Sequence, residues 1–596
     1  MFRRAWIVLT LLATSLPFSA RLLNADTPAD AEQEIVSLYQ SGKLFDKTQY
    51  KAVRAAFTHR FEQKHDAEIR KGYGEDYSEL TAWLDAHADI KQNFYTALDE
   101  QYDKLPAALG LFRAIWKKSP AQLEKYPNLA IATAVTWDDE RAVYDYRGHQ
   151  VRTKSTLPGN SVDALGNFDY MVANEKITEG RLRWLPWEYL IFVVDHRTPL
   201  DEREWAQKYY QTARRTVKSW HQDVPYDRNM LRGEQEPASG LQPRLAGKPY
   251  TLANIRKEGG VCAQQADFAT RVAKSVGVPA VYCSGRSSYR GLHAWWMFVQ
   301  IQSASKDHIR FSLVSDGRIQ GFEKDQFFFG NVLDPQTGRK MLDRDMEHRL
   351  WQVGHDPVAK RQARLVMGAY PWLSQRLQLD TKGRGAYLDR CLKLLPSCEE
   401  AWVEFARLCK EGQLDSSQKA IVRSRLDSLT TTFANHPDFI ARLVDDLLTI
   451  QPNVNEKIRH YESIYALFER KKRPDLACAA RLKLTELLCE QDKWQTAGKG
   501  LIATIRKFPN EGRYVPQMTK KLQEVVSHYK EGPAALAQLY VELVPTMIVY
   551  YGKEGSSYCD KLYDQAKAFL DENKQDKSAA KLRAQTEAAR LRVANP

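Results

Sequence analysis

Between residues 259 and 314 the spacing of apolar positions changes period from helical to alternating. Ala263, Ala266, Ala269, Val272, Ala273 and Val276 recur at three- and four-residue intervals, which predicts a helix with one apolar face. Gly277 supplies its stop, and Pro279 keeps it from resuming. Residues 280–284 then read as a strand, 285–292 as a connecting loop and 293–302 as a second strand. Alternation puts His293, Trp295, Met297, Val299 and Ile301 on one face of the second strand. A polar turn at 303–307 leads to a return strand at 309–314. With the turn centred near 304 or 305, hairpin symmetry sets Asp316 opposite His293, and a one-residue slip would turn it to the other face.

Elsewhere the pattern is mostly helical. Residues 30–119 are charged and helix-like, with Trp83 and Trp116 as anchors between helices. Residues 127–180, rich in Gly, Asn and Ser, predict a hairpin or a long loop. The dense apolar run 183–194 reads as a packing segment. A helix is expected over 201–221, capped at Thr198 or Asp201. The stretch 222–248, rich in Gly, Pro and charge, reads either as a flap over a cleft or as disorder. Beyond 349 the pattern is helical throughout, with prolines at 396, 452, 474 and 509 marking uneven intervals.

A chain of 596 residues is too long for one core and implies three or more units. Its first 25 residues, with Arg3 and Arg4 before an apolar run at 6–13 and small residues after it, read as a secretory signal peptide, with an uncleaved N-terminal anchor as the alternative. No later stretch reads as a membrane span, so the expected location is exported, periplasmic or extracellular, and not transmembrane after signal cleavage. The net charge of +13 predicts a solvated basic surface, and export argues against nucleic acid as a partner. Eight cysteines are too few for a disulfide scaffold, although Cys391, Cys398 and Cys409 could pair in an oxidising compartment. No CxxC or HExxH occurs, so no metal site and no cofactor is expected.

The candidate chemistry lies in the patterned segment. Gly259 and Gly260 free the backbone just before Cys262, which falls at a helix N-terminus, where unpaired N–H groups and the helix dipole favour a thiolate. His293 opens the second strand as the base. A carboxylate must then hold the imidazole in the right tautomer. Asp316 is the candidate from hairpin symmetry, and Asp334 is the alternative third member. The plainer reading of a lone Cys in an apolar helix is core packing, which is the reading adopted for Cys283. Trp295 and Trp296, one on each face of the strand, are assigned to core and pocket wall.

Gly-Val-Cys opening a helix, Gly-Val-Pro-Ala closing it and a strand beginning His-Ala-Trp resemble the transglutaminase-like superfamily of papain-related thiol enzymes. The resemblance covers about 199–350 and implies a Cys262, His293, Asp316 triad. The family's aspartate is followed by proline and threonine, wording that Asp334-Pro335-Gln336-Thr337 matches better than Asp316-Gly317. Residues 383–596, with a small residue and a Trp early in one helix and a Pro closing the next, resemble tetratricopeptide-type repeats, which implies an α-solenoid with a surface for a protein partner. The expected fold is α+β: a mainly helical region at 26–198, a papain-type core at 199–350, a helical connector at 351–382 and the solenoid at 383–596.

The expected function is an exported cysteine-dependent acyl-transfer enzyme acting on peptide or isopeptide amides, by hydrolysis or amine cross-linking, with a protein or peptide as substrate. The alternative is a non-catalytic interaction scaffold that works through the solenoid.

Overall fold

The computed structural model describes residues 28–178, 181–213, 217–287, 291–305, 308–316, 329–552 and 557–595, with the backbone alone at 28–30, 212–213, 217–218, 286–287, 291, 316 and 329. The expected signal peptide lies outside the described residues. The described chain is mostly helical and carries one antiparallel five-stranded sheet, an α+β combination. Its strands are β1 (Ala280–Ser287), β2 (Gly291–Ala304), β3 (Ile309–Asp316), β4 (Phe329–Leu333) and β5 (Lys340–Leu342), in the order β3-β2-β1-β4-β5.

Alternation along β2 feeds two separate cores, because both faces of the sheet are covered. Trp295, Met297 and Val299 join Val281, Cys283 and the N-terminal helices' Ile131, Leu190 and Val193. Ala294, Trp296 and Phe298 pack instead with Ala266, Ala269 and Ala273 of the helix Cys262–Ser275. Trp295 and Trp296 are only 1% and 0% exposed, so neither is an open pocket wall; both are core. The dense run at 183–194 yields the helix Trp187–Val194, whose seven apolar residues are all buried.

The hairpin register differs from the sequence expectation. β2 continues through Ala304, which pairs with Ile309, so the turn sits later than 304–305. Ser305 N–H donates to the His308 carbonyl at 2.9 Å and closes it. An irregularity between Ile301 and Ser303 then offsets the pairing by one residue, and Asp316 comes to lie opposite Trp296 rather than His293.

Two other expectations are revised. The described residues of the stretch 127–180, which are 127–178, hold no hairpin; they form the helices Pro127–Trp137, Arg147–Thr153 and Ala164–Ala173, the last capped by Asp163 accepting from Gly166 N–H at 2.7 Å. The stretch 222–248 contains the helix Arg228–Gln235, tied down by buried Asp227, which accepts from Asn229 N–H at 3.1 Å and from Arg244 N–H at 2.8 Å.

From Thr381–Leu394 to Asp576–Ala594 successive helices pack on their neighbours in one continuous core, which also takes in Ile35, Leu44 and Val53 from the start of the described chain. Gly412, Lys472 and Asp492 adopt the left-handed backbone region in turns between these helices. One of them, Gly532–Tyr551, is long and apolar enough to cross a membrane by length and composition, contrary to the sequence reading. It buries Leu536, Tyr540, Val544 and Met547 in the shared core, and its Glu542 pairs with Arg506 at 2.9 Å.

Candidate active site

Cys262 is the first residue of its helix because the backbone before it must make a turn that only glycine permits. Gly259 has φ +92°, and a Cβ there would collide with the Pro225 carbonyl oxygen. Gly260 N–H donates to that carbonyl at 3.0 Å, and its own carbonyl accepts from Asp227 N–H at 3.0 Å. Segment 225–227 is thereby laid alongside 259–260. The two glutamines after the cysteine complete the arrangement: Gln264 Oε1 accepts from Val261 N–H at 3.1 Å, and Gln265 Nε2 donates to the Val224 carbonyl at 2.9 Å.

The Cys262 thiol is half-buried, and burial alone would push its pKa up. Opposing contributions win and leave it below the usual thiol range. A hydrogen bond with His293 is the largest of these, followed by the Ala294 N–H directed at the sulfur and by the charges of His293 and Arg152.

His293 is half-buried at the start of β2 and stacks on Trp295, with ring centroids 5.9 Å apart and planes 26° off parallel. Their elements bring Cys262 and His293 together. The expected third member is another matter. Asp316 stands three positions along from His293 in the register, and its side chain lies outside the described residues. Asp334 is 7% exposed and otherwise engaged: Oδ1 accepts from Gln336 N–H at 3.0 Å and Thr337 N–H at 3.3 Å, and Oδ2 pairs with Arg349 at 3.0 Å. Its Asp-Pro-Gln-Thr wording encodes a turn that ties β4 to the helix Asp343–His355.

Other groups around the thiol were missed by the sequence reading. Arg152 is held by Glu234 through two bonds of 2.7 Å, joining the helices Arg147–Thr153 and Arg228–Gln235. Tyr226, which bridges to Gly260, is exposed, and the Tyr282 ring lies 5.0 Å from that of His149. Burial raises the Tyr282 hydroxyl pKa, with the Cys262 charge adding to the effect, and burial holds His149 below the ordinary histidine range. None of these residues shares a local motif with Cys262: Arg152 and His149 come in on the helix Arg147–Thr153, Tyr226 on the bridge to Gly260 and Tyr282 on β1. Asp343 is 3% exposed at the start of the helix Asp343–His355.

No group of three or more His, Cys, Asp or Glu side chains that could hold a metal ion occurs among the described residues. The site is thus a thiol–imidazole pair at a helix N-terminus, set against an antiparallel sheet in an α+β chain. Compared with known families and with curated proteins, the chain matches none.

Proposed function

We propose that the chain is an exported cysteine-dependent acyl-transfer enzyme of transglutaminase-like type, acting on peptide or isopeptide amides. The observation that carries this reading is the Cys262 thiol, hydrogen-bonded to His293 and shifted towards its reactive form despite burial. The helix Cys262–Ser275 packed on the sheet face of Ala294, Trp296 and Phe298 supports a papain-type core. The helices from Thr381 onward, each packed on its neighbours, support a tetratricopeptide-like solenoid with a surface for a protein partner.

In the proposed reaction the Cys262 thiolate attacks the carbonyl carbon of an amide, and the negative charge moves to the carbonyl oxygen. The Cys262 backbone N–H, unpaired within the helix, is placed to donate to that oxygen. As the tetrahedral species collapses, the C–N bond breaks and the His293 imidazolium gives its proton to the departing amine, leaving a thioester on Cys262. His293, now neutral, takes a proton from the incoming water or amine as it attacks. The C–S bond breaks, and thiolate and imidazolium are restored. Water gives hydrolysis; a lysine amine gives a new isopeptide bond.

The test is direct trapping. The full chain is mixed with a peptide pool, quenched in acid and mapped by mass spectrometry. An acyl adduct on Cys262 that hydroxylamine removes is expected, and His293→Ala should lower its rate of formation by about two to four orders of magnitude. Adducts spread evenly over several cysteines, or none on Cys262, would leave only the interaction-scaffold reading.

A further inference from the structure

His293 pairs with Gly285 on β1, and Gly285 pairs with Gly330 on β4, so the three residues form one row across the sheet. Directly opposed residues share a face, and neighbouring strands lie about 4.8 Å apart. Beyond His293 the row carries only glycines, so for roughly two strand spacings it contributes no side chain of its own, and neighbouring residues fill the space over its far end. What occupies its far end is Asp343. A Cβ at Gly330 would lie 2.8 Å from the Asp343 carboxyl carbon, 2.7 Å from Trp295 Cζ2 and 2.7 Å from Cys283 Sγ. Trp295 is also the ring on which His293 stacks. One indole therefore adjoins both the imidazole and the carboxyl.

We propose that Asp343, rather than Asp316 or Asp334, is the carboxylate that positions the His293 imidazole, an assignment that rests on reading Cys262 and His293 as the reacting pair. The layout suits that role. The thiol meets His293 beside the Ala294 N–H, and Asp343 lies across β1 from His293, over Gly330. The imidazole then stands between sulfur and carboxylate, one ring nitrogen for each. Asp343 is presented by the first turn of its helix, where a negative charge is favoured, and its Oδ1 accepts from Arg344 N–H at 3.0 Å. Asp334 has its oxygens committed to a turn and to Arg349, and Asp316 is opposite Trp296. Gly285 and Gly330 are explained by the same arrangement, since a side chain at either would block the row.

The experiment compares full-length wild type with Asp343→Asn by the pH dependence of Cys262 alkylation and by peptide turnover. Loss of the carboxylate should narrow the pH window in which thiolate and imidazolium coexist, moving its upper limb down by about one unit. Turnover should fall tenfold or more with little change in KM, and Asp343→Glu should recover part of the loss. Superimposable profiles for Asp343→Asn and wild type overturn the assignment. So does the same shift in Asp316→Asn or Asp334→Asn instead. Failure of the reacting pair itself reads differently, as a His293→Ala profile identical to wild type. Should Asp343→Asn not fold, a crystal structure of the wild-type chain decides. An Asp343 oxygen within about 3.2 Å of a His293 ring nitrogen supports the proposal, and any other acceptor there overturns it.

Discussion

Arg152 grips Glu234 through two parallel bonds of 2.7 Å within electrostatic reach of Cys262, so a cation that favours the thiolate is itself partly neutralised by its partner. Freeing that charge should make the thiol more acidic, and removing it should have the opposite effect. Both side chains of the pair are partly exposed, so solvent screens the effect and roughly two- to threefold changes in alkylation rate near pH 6 are expected. Glu234→Gln should raise the rate and Arg152→Ala lower it, measured on the Cys262 peptide. Equal rates in both variants would place Arg152 outside the site.

The turn before the nucleophile should tolerate no side chain. Gly259 sits at φ +92° with its Cβ direction closed by the Pro225 carbonyl. Gly259→Ala should cost about 1–3 kcal/mol in urea-induced unfolding and reduce labelling of Cys262. Wild-type stability in that variant would mean that segment 225–227 can move away at no cost.

The pair of Cys262 and His293 was legible because it depends on local signals: two glycines, a helical repeat and a strand alternation lie within forty residues of one another. The carboxylate was not. Its placement depends on how far β2 runs before turning and on the irregularity at Ile301/Ser303, and neither leaves a mark in the alternation. Asp334 had the right neighbours for a family aspartate, but Pro335 and Thr337 belong to a turn that Asp334 itself closes. The row from His293 to Gly330 joins three strands, and only the sheet order reveals it. In 127–180 the Gly and Asn content suggested loops, whereas Asp163 and its neighbours start short helices that tertiary packing completes.

Buried acids give the stability a defined pH dependence. Burial pushes Asp103 up to about 8, reinforced by the charge of Asp138, itself raised by burial to about 6. A carboxyl whose folded pKa exceeds its unfolded value contributes fully below the unfolded pKa, and its contribution is lost as pH rises through the folded value. Stability should therefore decline between about pH 4 and pH 8. Asp103→Asn keeps an acceptor for Asp99 N–H, which the carboxylate accepts at 2.8 Å, while abolishing the titration. In urea titrations the variant should match wild type near pH 4 and exceed it at pH 9 by roughly 2–4 kcal/mol. Parallel curves for the two chains at both pH values would refute this.

Cys391 and Cys398 are buried with sulfurs 3.7 Å apart at the junction of the helices Thr381–Leu394 and Glu399–Lys410. In the oxidising compartment expected for an exported chain they should close to the disulfide length of about 2.05 Å. Non-reducing peptide maps of protein recovered from such a compartment should show the two fragments linked, each sulfur having lost its hydrogen to the oxidant there. Free thiols at both positions in protein recovered from that compartment would contradict the pairing.

The most direct measurement is the rate of Cys262 alkylation by iodoacetamide as a function of pH, followed on the Cys262 peptide in wild type and His293→Ala. The expected result is a midpoint in wild type below the ordinary thiol range near 8.5, moving up by one unit or more when the imidazole is removed. A single midpoint near 8.5 in both proteins would contradict an activated sulfur at this site and, with it, the enzyme reading.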